Sequence, residues 1–163
     1  MLDIRSVLVL GIGNRLLGDD GAGPQAIDLL AARRCRATLQ DGGTIGLHLL
    51  PAIQDAAALI AVDAAMFGAE PGSVRVFEGA AMDRQLGGHK NTAHEVALAD
   101  LLGAAALSST LPQRRALVAV QPQACGWGLE PSDPVRAALP TLCDCVQELL
   151  QRWHGAGAAA GAA

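Results

Sequence analysis

Hydrophobic and polar positions divide this chain into short apolar runs separated by longer amphipathic stretches. Three of the runs are almost entirely aliphatic, as expected of strands that are covered on both faces. They span residues 7–10, 57–62 and 116–120. A shorter strand is predicted at residues 37–40, and residues 73–77 alternate around Arg75 as a half-exposed edge strand does.

The stretches between these strands have helical patterns. Residues 21–33 carry an apolar stripe, with Pro24 in the first turn and Asp19 as the expected N-cap. The remaining predictions are helices at 45–53, at 94–107 and from Pro134 onward, a tight turn at 41–44, and irregular loops at 79–91 and 121–133. The alternation of strands and helices predicts an α/β fold, a three-layer αβα sandwich around a mostly parallel sheet. We expect one domain over residues 1–154 and a low-complexity tail over 155–163.

Composition narrows the possible functions. Apolar residues make up 51% of the chain and charged residues 17%, which is typical of a globular protein. The chain has no Tyr, two Phe, two Trp and a net charge of −4, so neither stacking on bases nor binding to a phosphate backbone is expected. We find no signal peptide and no apolar stretch near the ~20 residues that span a bilayer. We therefore expect a cytoplasmic protein that acts away from membranes, with its four cysteines reduced.

The candidate chemistry lies where predicted strands end. A glycine-rich turn after the first strand carries Asp19 and Asp20, Asp63 follows the third strand, and His94 begins a predicted helix. Ligands of α/β sheets bind outside the carboxyl ends of the strands, so Asp20 and Asp63 should share one edge, and His94 can join them there. Two carboxylates and an imidazole suit Ni²⁺, Zn²⁺, Mn²⁺ or Fe²⁺. His89, in the loop before the helix, is a weaker alternative ligand.

A dinucleotide site is the main competing interpretation of the first turn. Gly11 and Gly13 follow a strand and precede a helix, as in the nucleotide-binding fingerprint. The position three residues after Gly13 is Leu16 rather than glycine, and Asp19 and Asp20 would repel a pyrophosphate. We therefore favour a cation at this turn.

These motifs together resemble the nickel–iron hydrogenase maturation endopeptidases. The matching segments cover nearly the whole chain, from about residue 7 to residue 150. They are Gly11-Ile12-Gly13-Asn14, Gly18-Asp19-Asp20-Gly21-Ala22-Gly23, Asp41-Gly42-Gly43-Thr44, Val62-Asp63-Ala64, Pro71-Gly72, and His94 with Leu98-Ala99-Asp100-Leu101-Leu102. The resemblance implies a twisted, five-stranded, mostly parallel sheet with one antiparallel strand, for which residues 73–77 are the candidate.

The resemblance also implies an activity and a partner. Members of this family remove a C-terminal extension from the large-subunit precursor of a nickel–iron hydrogenase after nickel has been inserted. Asp20, Asp63 and His94 would be the catalytic, metal-contacting residues, and the nickel would be presented by the precursor rather than held tightly by the enzyme. Asp41, Gly42, Gly43 and Thr44 would serve in substrate recognition.

Three other interpretations stay open at this point. The chain could be a nickel-checkpoint protein or chaperone that binds the same precursor without cutting it. It could be a different metal-dependent peptidase on a related fold, or a nucleotide-binding module. We find no serine or cysteine nucleophile with a matching triad and no His-Glu-x-x-His helix.

Overall fold

The fold is a five-stranded sheet with helices on both faces. The computed structural model describes residues 2–88 and 93–155. Its strands are β1 (Val7–Ile12), β2 (Thr38–Gly43), β3 (Ala58–Ala64), β4 (Val74–Glu78) and β5 (Arg114–Val120). Its α-helices are α1 (Ala22–Ala32), α2 (Leu50–Asp55), α3 (Ala80–Leu86), α4 (Ala93–Leu107) and α5 (Asp133–Gly155). Short 3-10 turns at Ile4–Ser6, Gly18–Gly21 and Leu47–Leu49 complete the order.

The sheet has the strand order β2-β1-β3-β5-β4. Strands β1, β2, β3 and β5 are parallel, and β4 pairs antiparallel with β5 at one edge. The fold class predicted from the sequence is therefore confirmed, including residues 73–77 as the antiparallel edge strand. The carboxyl ends of the four parallel strands meet at one edge of the sheet, which we call the site edge.

The two faces of the sheet are filled by alternate residues of each strand, because successive strand side chains point in opposite directions. Val7 and Val9 of β1 pack into the cluster that contains α1 and α5 residues. Leu8 and Leu10 pack into a second cluster with residues of α2, α3 and α4. Almost all of this core is aliphatic, and the result is the three-layer sandwich.

Gly23 allows the first turn of helix α1 to lie close to the sheet. A Cβ atom at Gly23 would overlap the carbonyl oxygens of Ile12 and Val62. Its absence lets the first turn of α1 lie directly against the ends of β1 and β3, which places the preceding Asp20 near Asp63.

Three predicted element boundaries are wrong. The predicted loop 79–91 contains α3, in which Met82 and Leu86 are buried one turn apart, while residues 89–92 lie outside the described part of the chain. The predicted turn 41–44 starts too early, because Asp41 and Gly43 still pair with β1 across a register shift. The helix predicted from Ile45 cannot begin there, because Ile45 has a φ of 54°.

Other expectations of the sequence have mixed outcomes. All four cysteines are free, and Cys143 is buried as predicted for a packing thiol. Within the described residues, no helix combines the length and apolarity that crossing a membrane requires. The tail predicted at 155–163 lies beyond the described residues except for Gly155.

Candidate functional site at the carboxyl edge of the sheet

Asp20 and His94 meet at the site edge. The Nε2 atom of His94 lies 3.0 Å from Oδ2 of Asp20, and both side chains are largely buried. The same Asp20 oxygen accepts a hydrogen bond of 2.9 Å from the backbone N–H of Asn14. Asp20 comes from the 3-10 turn after β1, and His94 from the first turn of α4, so a contact between distant segments closes the site.

This contact has opposite effects on the two side chains. The hydrogen bond and charge of Asp20 raise the pKa of His94 against the lowering effect of burial, and hydrogen bonding to the backbone of Thr44 adds to the rise. Burial alone would raise the pKa of Asp20, but the hydrogen bonds from His94 and from the backbone of Asn14 outweigh it, and the pKa is lowered. Both shifts favour the charged forms, which are the imidazolium of His94 and the carboxylate of Asp20.

Asp63 is the third predicted site residue, and it is in a different electrostatic state. It sits in β3, one residue before the strand ends, and only 1% of it is exposed. Burial raises its pKa well above the usual value, and the carboxylates of Glu95 and Asp20 raise it further. Its Oδ1 atom has no hydrogen-bond partner among the described residues. A buried carboxyl oxygen of this kind is costly unless something binds it.

The Asp41–Thr44 segment supports the site from β2. Asp41 accepts hydrogen bonds from the Nε atom of Arg15, at 3.0 Å, and from the backbone N–H of Gly43, at 2.9 Å. The next residue, Thr44, is the one whose backbone bonds to His94. The segment therefore lies beside the imidazole, with Asp41 tied to the turn that carries Asp20.

Asp19 does not cap helix α1, contrary to the prediction. Gly21 is the N-cap residue, and no side chain caps the helix there. The intervening 3-10 turn points the fully buried Asp19 toward the loop after β5. Its carboxylate accepts hydrogen bonds from the backbone N–H groups of Gln123, Ala124 and Ser132 and from the Ser132 hydroxyl, at 2.6–2.9 Å. These four bonds outweigh burial and lower its pKa.

The structure of the glycine-rich turn argues against the dinucleotide interpretation. The N–H of Asn14 already donates to the Asp20 carboxylate. A Cβ atom at Gly13 would overlap the carbonyl oxygen of Asp20, so the turn is folded closely around that residue. The acidic side chain at the entry to α1 would repel a phosphate there.

Two residues near the site were not predicted. Glu95 follows His94 directly, is 1% exposed, and its charge raises the pKa of Asp63. In the sequence it resembles an ordinary acidic residue in the first turn of a helix. Cys125 is the second: partial burial raises the pKa of its thiol, and the carboxylates of Asp20, Asp19 and Asp63 raise it further. Cys125 therefore lies in the part of the loop after β5 that is near these three carboxylates.

The geometry brings Asp20 and His94 into contact, with Asp63 close enough to interact electrostatically with Asp20. Within residues 2–88 and 93–155, no three His, Cys, Asp or Glu side chains are already arranged around a common ion position. His89, the alternative ligand, is outside those ranges. The site thus combines an ion pair with a buried carboxyl group of high pKa.

Comparison with known proteins decides the family. Residues 26–149 match the sequence profile of the HycI family, described as hydrogenase maturation protease. This chain belongs to the hydrogenase maturation proteases.

Curated relatives of this hydrogenase maturation protease agree with that assignment. The hydrogenase expression/formation protein HoxM of Azotobacter vinelandii is 34% identical over 90% of this chain and 73% of its own length. The hydrogenase 2 maturation protease of Escherichia coli is 32% identical over 72% of this chain and 73% of its own length.

Solved structures support the same family. The hydrogenase maturating endopeptidase HybD of E. coli superimposes with a TM-score of 0.82 at 26% identity, covering 90% of this chain and 92% of HybD. HybD of Thermococcus kodakarensis gives a TM-score of 0.77 at 26% identity, covering 88% of this chain and 98% of that one. The protein is thus a peptide hydrolase of hydrogenase maturation.

Proposed function

We propose that this hydrogenase maturation protease removes a C-terminal extension from the large-subunit precursor of a nickel–iron hydrogenase. We further propose that Asp20, Asp63 and His94 recognise the nickel that the precursor carries. The observation that carries the proposal is the meeting of His94 Nε2 and Asp20 Oδ2 at 3.0 Å beside the buried Asp63. These donors come from three separate segments of the chain and converge on one edge.

The donor set fits a borderline metal ion. Carboxylate oxygens and an imidazole nitrogen are suitable ligands for Ni²⁺, and the unbonded Oδ1 atom of Asp63 is an oxygen that a cation would satisfy. In the free enzyme, the charges of Asp20 and His94 offset each other. Nickel arriving with ligands from the precursor would separate this pair, displace the proton of His94, and ionise Asp63.

The nickel would then fix the precursor in position for hydrolysis. It can polarise the scissile carbonyl group or activate a water molecule, and both steps are consistent with these ligands. Thr44 and its neighbours have a supporting role in this proposal. Hydrogen bonding to the backbone of Thr44 orients His94, and the exposed part of the Asp41–Thr44 segment contacts the precursor next to it.

The test compares precursor with and without nickel. Purified protein is mixed with each form of the large-subunit precursor, and the masses of the products are measured. We expect a C-terminal peptide to be released only from the nickel-loaded form. Equal cleavage of the nickel-free form would contradict nickel recognition.

Substitutions test whether each of the three site residues contributes to release of the peptide. Asp20→Asn, Asp63→Asn and His94→Gln should each slow release of the peptide by about 100-fold or more, since each removes a proposed metal contact. Asp55→Asn is the matched control, because Asp55 is an exposed carboxylate at the end of α2. Wild-type rates in the three site variants would remove those residues from the reaction.

A further inference from the structure

The exposed large apolar side chains of this protein are concentrated around the site edge. Seven such residues occur in the described part of the chain. Leu107, at the end of α4, is one of them, and the other six lie just beyond the ends of parallel strands or in the first turn of α4. We call these six the apolar rim: Leu16, Leu47, Met66, Val96, Trp127 and Leu129.

The rim follows from the topology. Leu16 comes four residues after β1, Leu47 four residues after β2, and Met66 two residues after β3. Trp127 and Leu129 belong to the loop that follows β5. Because the carboxyl ends of parallel strands meet at one edge, these segments surround the place where Asp20 and His94 meet.

Part of the rim is held rigidly. The backbone N–H of Gly128 donates to the carbonyl oxygen of Leu16 at 2.9 Å, and Gly18 donates to the carbonyl oxygen of Gly128 at 2.8 Å. These bonds place Leu16 beside Trp127 and Leu129. The four hydrogen bonds to Asp19 fix the same loop at both ends. A surface that is already ordered loses less conformational entropy when a partner binds.

Exposure of this kind is unusual for side chains that serve only the fold. Trp127 is 86% exposed and Leu47 is 78% exposed. Single exposed apolar residues are common, but a cluster beside a polar site is typical of an interaction surface. Tryptophan is also among the residues that contribute most to binding energy at interfaces.

We propose that the apolar rim is the docking surface for the hydrogenase large-subunit precursor, and that it binds an apolar stretch of that protein next to its nickel. This inference rests on the proposed function. The rim surrounds the candidate metal contacts, so a polypeptide that delivers a cation to Asp20 also covers the rim. The rim supplies binding that is independent of nickel, while the acidic centre responds to the cation.

A second copy of this chain fits the surface less well. A symmetric contact through the rim would bring the Asp20–His94 pairs of both copies together but would supply no cation to either copy. The Oδ1 atom of Asp63, which has no hydrogen-bond partner among the described residues, would then stay unsatisfied in both copies. A precursor that carries a metal cation would supply the missing partner.

The experiment uses the double variant Trp127→Ser, Leu129→Ser and the control Leu107→Ser. Leu107 is also an apolar residue, is 92% exposed, and lies at the opposite end of α4 from His94. Binding of nickel-loaded precursor is measured as Kd, and processing as KM and kcat. Because all three side chains are exposed, the variants should keep the wild-type Tm.

We expect the double variant to raise Kd and KM by about tenfold or more, as for the loss of interface residues that dominate binding. Its kcat at saturating precursor should match that of the wild type, and Leu107→Ser should leave all three constants unchanged. Unchanged Kd and KM in the double variant would overturn the proposal. So would concentration-dependent self-association of the wild type that the double variant abolishes, because the rim would then bind a second copy.

The two proposals can fail separately. If the wild type binds the precursor but releases no peptide, the proposed function fails, and the Kd values of the variants still decide the role of the rim. If peptide is released normally but the rim variants bind like the wild type, only the docking surface is wrong. If the wild type does not bind the precursor at all, the docking proposal is overturned.

Discussion

Single residues at the site are in unfavourable states that a stable core would avoid. Asp63 is buried, holds its proton to a higher pH than usual, and has an oxygen without a hydrogen-bond partner among the described residues. Such strain is often found where a protein binds or transforms a ligand. The state of Asp63 therefore has a consequence for stability that can be measured without any substrate.

Replacing Asp63 with asparagine should stabilise the protein at alkaline pH. In the unfolded chain the carboxyl group ionises near pH ~3.9, whereas in the folded protein its raised pKa delays ionisation. Stability is therefore lost as the pH rises from the unfolded pKa through the folded pKa, and the Asp63→Asn variant, which has no carboxyl group there, escapes this loss. We expect Tm to increase by roughly 2–4 °C at about pH 8 and to be unchanged at about pH 4.

Thermal unfolding followed by circular dichroism at both pH values checks this expectation. Asp55→Asn serves as the control, because Asp55 is exposed and its replacement should leave Tm unchanged at both pH values. A decrease in the Tm of Asp63→Asn at about pH 8 would show that the carboxylate is stabilised by its surroundings.

The sequence indicated which residues are candidates for the site, but it did not indicate their burial or their hydrogen-bond partners. Asp20, Asp63 and His94 could be singled out because each lies at or near the end of a regular element, and the order of strands and helices brings those ends together. The burial of Glu95 was not visible, since one acidic residue in the first turn of a helix has the same pattern whether it is exposed or buried. The role of Asp19 depends on a partner loop more than 100 residues away.

Individual elements are positioned by a few close backbone contacts. The first turn of α1 touches β1 and β3 because Gly23 has no side chain. Gly103 is also inside a helix, but a Cβ atom there would have no heavy atom within 4 Å other than those of its own neighbourhood. The two glycines therefore differ in environment rather than in backbone conformation.

Alanine substitution at these two positions should have opposite effects. Gly23→Ala forces α1 away from the strand ends and should lower the free energy of unfolding by about 3 kcal/mol, as overpacking of a close contact does. Gly103→Ala removes a flexible residue from a helix and should raise it by about 1 kcal/mol. Urea denaturation measures both changes, and a Gly23→Ala variant as stable as the wild type would mean that α1 can move freely.

The strands were predicted more accurately than the helices and loops, for a physical reason. Strands covered on both faces are continuous apolar runs, so β1, β3 and β5 are evident in the sequence. Helix α3 was missed because it is short and has only two large apolar side chains, Met82 and Leu86, which are buried through contacts with other elements. The end of β2 was missed because glycines usually break strands, whereas here Gly43 pairs with β1.

At the scale of the whole molecule, the candidate site and the end of the longest helix lie at opposite edges of the sheet. Helix α5 begins near Ser132 at the site edge and runs for 23 residues, roughly 35 Å, to the other edge. Trp153 near its end is 7% exposed, and its carbonyl oxygen accepts a hydrogen bond of 2.7 Å from Arg114, the first residue of β5. The end of α5 around Trp153 therefore packs into the core at a distance from the candidate site.

Truncation of Trp153 should therefore separate stability from activity. We expect Trp153→Ala to lower the free energy of unfolding by about 3 kcal/mol, since it leaves a cavity in the core. Processing of nickel-loaded precursor should stay at the wild-type rate when it is measured well below the lowered Tm. Slower processing under those conditions would mean that the two edges are coupled.

The chain has no tyrosine and two tryptophans, and the two tryptophans lie at opposite edges of the sheet. Trp127 is in the solvent-exposed rim, whereas Trp153 is enclosed by the aliphatic core. The intrinsic fluorescence of the protein therefore has two sources that can be separated. A blue shift from Trp127 would report the covering of the site edge, and a red shift from Trp153 would report global unfolding. The protein thus contains its own optical probes for docking and for denaturation, without an added label.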